Sequence, residues 1–262
     1  FSRAVTDNDV GFQYHPAGAR IFSRQMALWP APQFVPESFE VTTTDDYAEV
    51  KTVFEPLYGM VRVETCYRIH ADGTLVGTLR TFDGGDMASA PEFFRVGMET
   101  TLPGRYSTVD FYGKGPYETY SDRQSSARTG HYVQSVAEQY HYGYVHPQES
   151  GTHVGLKWFR LTDDSGYGLE ITSPAQFSAS ALPFTRQDLT DFSSPFASEE
   201  LSSVSSRYSH SEELRPAAHE ADRSRGVTHL NFDLVQRGLG CIDSFGSLPR
   251  PEYRIPADAY TF

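Results

Sequence analysis

Val61, Val63, Thr65, Tyr67 and Ile69 take every second position of one run, Ala71-Asp72-Gly73 follows, and Leu75, Gly77, Leu79 and Thr81 return with the same period. A period of two closed by a glycine turn is the pattern of an antiparallel hairpin, because a strand turns alternate side chains to opposite faces. The same reading extends along the chain. Phe39, Val41 and Thr43 alternate with polar partners, and residues 47–54 follow after Asp45-Asp46. Residues 93–101 and 106–112, separated by Leu102-Pro103-Gly104, read as a second hairpin, and residues 154–161 and 167–172 flank Asp163-Asp164-Ser165-Gly166 as a third. Residues 227–234 and 253–262 read as further strands, the latter the last. Pairs joined by short turns predict a meandering, all-β structure, and 262 residues suffice for one large β-sandwich spanning 1–262.

Several stretches lack that period. Residues 1–11, Phe-Ser-Arg-Ala-Val-Thr-Asp-Asn-Asp-Val-Gly, are dense in turn formers and read as an irregular segment laid against a sheet. Residues 14–29 stay open between a short helix and a strand, ended by Pro30 and Pro32. Residues 113–123, Gly-Lys-Gly-Pro-Tyr-Glu-Thr-Tyr-Ser-Asp-Arg, carry two glycines and a proline that stop the preceding strand. Their closing Asp-Arg suits a loop pinned by side-chain hydrogen bonds, read as the crossover between two halves. Residues 131–138 read as wrapping a sheet edge. Residues 190–210 are serine-rich, with few large apolar side chains, and read as a solvated insertion.

Composition closes off several functions. A formal net charge of -12 opposes binding to a phosphate backbone, so nucleic acid is disfavoured. No apolar run is long enough to cross a bilayer. Two cysteines far apart, Cys66 and Cys241, offer neither a disulfide framework nor a CxxC metal site. Glycoside hydrolysis needs two carboxyl groups across a cleft, and with 34 acidic residues none, Glu99, Glu118 and Glu170 included, stands in a pattern that marks it as catalytic. Nine histidines include no His-Glu-x-x-His pair; His141 and His146 are the pair placed to meet at a strand end and hold a metal, although a satisfied or exposed histidine is the commoner outcome. There is no Gly-x-Ser-x-Gly elbow, and Gly238-Leu239-Gly240 lacks the third glycine and following helix of a phosphate cradle. Aromatic rings are better candidates, because a sugar's C–H face stacks on them. Phe245, beside Asp243, Ser244 and Gly246, lies on a loop where burial is hard to complete.

Three segments, in order, resemble the C-terminal domain of the large β-galactosidases of glycoside hydrolase family 2, found also as the small chain of two-subunit versions. Residues 1–11 match Phe-x-Arg-Ala-x-x-Asp-Asn-Asp-x-Gly, residues 113–123 match Gly-x-Gly-Pro-x-Glu-x-Tyr-x-Asp-Arg, and residues 238–245 match Gly-x-Gly-x-x-Asp/Ser-Ser-Trp. Residues 144–151 and 177–189 look like further family segments. The resemblance implies a galactose-mutarotase-like supersandwich of two large antiparallel sheets, here lacking the first strands of the family's domain. It implies no catalytic residue and no cofactor in this segment, the catalytic glutamates, magnesium and sodium belonging to a separate barrel domain. As partners it implies the remaining domains or large chain, a β-galactoside substrate and a homo-oligomer of the complete enzyme in the cytoplasm. The family's outer-subsite tryptophan corresponds to Phe245, flanked by Asp243 and Ser244, which implies an altered preference for the leaving sugar. A stand-alone carbohydrate-binding module and an aldose 1-epimerase-like protein on the same fold are the alternatives, the latter without its Asn-His-x-x-Phe type signature.

Overall fold

Alternation of apolar and polar residues builds ten strands among the residues that the computed structural model describes, which are 1–10, 29, 34–189, 211, 214, 226–243 and 246–262. The first sheet is a simple meander of β1 (Val35–Thr43), β2 (Tyr47–Glu55), β3 (Val61–His70) and β4 (Leu75–Asp83). The second holds β5 (Arg95–Pro103), β6 (Thr108–Gly115), β7 (Arg128–Ser135), β8 (His153–Thr162), β9 (Gly168–Leu182) and β10 (Val227–Gln236). Its strand order is β5-β10-β9-β8-β6-β7, and among the described residues every strand pairing in both sheets is antiparallel.

The hydrophobic effect acts on one face of each sheet. Val61, Val63 and Leu79 of the first sheet pack with Phe93, Phe94 and Val96 at the start of β5. In the second sheet, register sets Phe111 opposite Phe159 and Val109 opposite Leu161, and these four, with Phe177 and Leu230, form a second buried cluster. Phe262 touches both clusters. The opposite face of the second sheet is covered by loops, where Ala4, Tyr140, Leu182, Phe184 and Leu189 pack together.

The all-β reading holds, and the hairpins β1–β2, β3–β4 and β8–β9 form as the sequence indicates. The second hairpin does not. β5 pairs with β10, while β6 lies between β7 and β8. Gly104 N–H, in the turn after β5, donates to Gly226 O at 2.6 Å, so the end of β5 is tied to the entry of β10 instead of to β6. Residues 113–123 are likewise not the crossover between halves. The chain passes from one sheet to the other between β4 and β5; β6 continues through Gly113 and ends at Gly115, immediately before Pro116, so the strand does stop inside this segment. A Cβ at Gly113 would lie 2.6 Å from Leu156 Cδ2, so this glycine serves close strand packing. The final residues form no regular strand: a 3-10 turn at Pro251–Tyr253 precedes isolated bridges, with Phe262 and Leu79 exchanging two backbone bonds of 2.8 Å. Residues 1–6 are irregular, but Asp7–Val10 closes one helical turn, α1. The expected sheet-edge segment is the edge strand β7. The proposed helix or strand over residues 14–29, apart from Trp29, and the serine-rich segment at 190–210 lie outside the described residues.

His153 links β8 to its surroundings inside this core. Its Nδ1 lies 3.2 Å from Lys114 O and its Nε2 2.8 Å from the side-chain amide of Gln139, with the ring 1% exposed. Burial lowers its pKa from 6.5 to about 4, against the opposing pull of the Lys114 carbonyl and Glu118. Between those values the unfolded chain binds a proton that the folded chain refuses, so stability falls as pH drops from about 6.5 towards 4. The shift corresponds to roughly 3 kcal/mol. Urea titrations at intervals between pH 7 and 4 should show this loss in the wild type and a much flatter profile in His153→Gln.

Candidate functional site

The loop that follows β10 is fixed by two segments far away in sequence. Thr6 N–H donates to Asp9 Oδ2 at 2.9 Å and Asp9 N–H to Thr6 Oγ1 at 3.2 Å, a reciprocal cap that starts α1. That turn presents Asn8. Its amide nitrogen donates to Leu239 O at 3.1 Å and Gly240 O at 2.6 Å, and its Oδ1 accepts from Gly246 N–H at 3.3 Å. One side chain thus bridges both stems of the loop. Arg3, 1% exposed, donates from Nη1 to Arg237 O at 2.5 Å and from Nη2 to Gly238 O at 3.2 Å, with Asp9 as its ion pair at 3.1 Å.

The second clamp comes from the connection between β6 and β7. Tyr120 and Arg123 exchange backbone bonds of 3.0 Å, closing a tight turn around Asp122. Its carboxylate accepts from Leu239 N–H at 3.0 Å and Gly240 N–H at 2.8 Å. A Cβ at Gly238 would sit 2.5 Å from Asp122 Oδ2, and Gly240 has φ of +76°. The Gly-Leu-Gly run is therefore required by a carboxylate's close approach and by left-handed backbone, not by a phosphate.

Glu118 holds the clamp itself in place. It accepts from the Arg123 guanidinium, the Tyr144 hydroxyl, Ser150 Oγ at 3.0 Å and Gly151 N–H at 2.8 Å. Burial, and then the charge of Glu118, push the Tyr144 phenol far above its ordinary range, so it stays a neutral donor. A carboxylate with this many donors acts as a tie, which accounts for Glu118. Glu170 is a surface partner of Arg160, and Glu99 stands exposed on β5.

Asp243 closes the loop locally, accepting from Ser247 N–H at 3.2 Å and Ser247 Oγ at 2.5 Å. Ser244 and Phe245 lie outside the described residues, so of the three residues singled out in the sequence only Asp243 is placed here. Beside it opens a cavity of about 360 Å³ lined by Asn8, Arg123, Tyr144, Gln148, Cys241 and Asp243. The turn chemistry of residues 1–11 and 113–123 was legible in the sequence, but not that Asn8 and Asp122 grip the same loop. His141 stacks edge-on against Tyr144 at 4.6 Å, and among the described residues no group of three or more His, Cys, Asp or Glu could hold a metal ion. No helix among them is long and apolar enough to cross a membrane.

Two antiparallel sheets make a β-sandwich in which the three motif segments meet at one loop pinned by buried polar side chains. The chain belongs to the beta galactosidase small chain family, whose model matches residues 1–262. It is similar to the β-galactosidase BgaC of Bifidobacterium adolescentis, 33% identical over 66% of this chain and 14% of that protein. It is also similar to the β-galactosidases of Streptococcus thermophilus, 26% identical over 99% of this chain, and of Priestia megaterium, 28% identical over 100%, each matched over 22% of its own length. The chain thus spans about a fifth of the length of these two full-coverage relatives.

The clamp has a direct consequence. Asp122→Ala would leave two loop N–H groups without their acceptor, at a cost of about 1–3 kcal/mol for each that stays buried. Amide hydrogen exchange should show Leu239 and Gly240 losing protection by at least tenfold, while amides in β8 and β9 keep theirs.

Proposed function

We propose that this chain is the C-terminal sandwich of an enzyme that hydrolyses terminal β-D-galactosides, and that it supports assembly and lends Phe245 to the sugar-binding cleft. Family membership supports the hydrolase reading, and the observation that carries the cleft role is the double grip of Asn8 and Asp122 on the loop that bears residues 243–245. A ring can select among sugars only if its backbone is held, and here both stems are bonded to other parts of the fold. Ile242, 68% exposed on this loop, is a further apolar side chain open to contact. The acid, the nucleophile and their magnesium and sodium belong, on this reading, to a barrel domain elsewhere in the enzyme.

The first sheet supports the assembly role. Register aligns Val41, Val50, Tyr67 and Gly77 in one row, and Thr43, Ala48, Ile69 and Leu75 in the next. These rows lie on the same face as buried Val63 and Leu79, yet Phe39 is 66%, Val41 57%, Ile69 49% and Leu75 60% exposed. An inner sheet face covered at one end and bare at the other is suited to a neighbouring domain. The supersandwich topology of the mutarotase-like folds fits two such sheets and is part of this proposal.

In the complete enzyme, Phe245→Ala should raise KM by different factors for galactosides with different leaving groups, on the order of 2–10-fold, with kcat little changed. Phe245→Trp should shift the same ratios in the opposite sense. Michaelis constants unchanged from the wild type across several leaving groups, or raised by one common factor, would remove the role. The 262-residue chain alone should not hydrolyse nitrophenyl galactoside, and turnover by it would overturn the division of labour.

A further inference from the structure

The loop-covered face of the second sheet carries a polar surface that the reading above does not use. Pairing sets Glu99 opposite Asn231 and Asn231 opposite Ser180, then Gly97 opposite Asp233 and Asp233 opposite Ser178. The intervening rows, Met98–Phe232–Ala179 and Thr100–Leu230–Ala181, turn to the other face, where Ala179, Ala181 and Leu230 join the core. Three adjacent strands therefore present carboxylate, amide and hydroxyl groups side by side. Over them lies a groove of about 470 Å³, within the roughly 300–1,000 Å³ of small-molecule clefts.

The groove is built, not merely open. Glu149, 6% exposed, lines it and is held by Gln236 Nε2 at 2.8 Å, Ala4 N–H at 3.2 Å and Thr152 Oγ1 at 3.3 Å. Arg95, 7% exposed, also lines it; its Nη2 donates to Asp233 Oδ2 at 2.6 Å, while its buried Nε has no hydrogen-bond partner among the described residues. Leu182, Phe184 and Leu189 supply apolar wall. Asp233 neutralises Arg95, and the second guanidinium lining the groove, Arg186, is matched by Glu99 and Glu149, so among the described residues no positive charge is left over for an anion. A neutral molecule rich in hydroxyl groups, each both donor and acceptor, with C–H surface for the apolar wall, matches this set.

We infer that the groove over β5, β10 and β9 binds a saccharide, at a site separate from the loop of Asp243. Glu99 and Asn231 face the ligand's hydroxyl groups, and Leu182 and Phe184 meet its C–H surface.

The test titrates galactose and lactose into the 262-residue chain by calorimetry and by ligand-observed saturation-transfer NMR. Glu99→Leu and Asn231→Leu should each weaken binding at least tenfold, Glu99 being exposed and so replaceable without harm to the core. Thermal melts confirm that each variant is folded. Phe245→Ala should leave this binding unchanged, which separates the groove from the loop. Binding lost in Phe245→Ala but kept in Glu99→Leu, no binding of either sugar, or preferential binding of inorganic sulfate would each overturn the inference.

Discussion

Arg3 is the point on which the loop-covered side of the molecule depends. A guanidinium taken out of water is tolerable only where charge and hydrogen-bond acceptors meet it, and here one side chain reaches the Asp9 carboxylate and the carbonyls of Arg237 and Gly238. Its planar fork ties an irregular segment, which has no ladder of its own, to the exit of β10. Once that tie is made, α1 stands in one place, Asn8 faces the loop, and residues 237–240 run where Asp122 can accept the N–H groups of Leu239 and Gly240. The remaining polar network follows from the same placement, since Glu149 meets Ala4 N–H and Gln236 together.

The two sheets divide the work. The first is a meander whose apolar face, among the described residues, is covered at one end by β5 and the neighbouring aromatics, while Phe39, Val41 and Leu75 stay exposed at the other. The second is apolar on one face and polar on the other, and its polar face is roofed by loops instead of being left to solvent. Loops laid on a sheet must find partners for their own backbone groups, which explains why Glu118, Asp122, Asn8 and Glu149 spend their oxygens on backbone N–H groups and fixed side chains. Those bonds hold the roof in place on the sheet.

Legibility in the sequence followed the range of the interaction. The hairpin β3–β4 was plain because its signal, alternation plus Ala71-Asp72-Gly73, lies within a score of residues. β5 and β6 carried the same signal and were strands, but their partners were not each other, because a ladder bond is blind to sequence distance and Gly104 found Gly226. Gly113 looked like a strand stop and proved to be a strand residue, since the space it leaves is filled by Leu156, forty-odd residues on. The glycines around Leu239 could be dismissed as a phosphate cradle from sequence, whereas the carboxylate that they admit was not foreseeable there.

What the chain determined by itself is the antiparallel all-β class, the hairpins with local turns, and the three motifs that mark the family, because each rests on neighbours in sequence. Tertiary structure alone decided that β5 joins β10, that Arg3, Asn8 and Asp122 converge on one loop, and that Glu99, Asn231 and Ser180 share a face. Those are meetings between residues more than a hundred positions apart in most cases. No local propensity encodes them; they exist only when burial of the two cores has brought the strands into register.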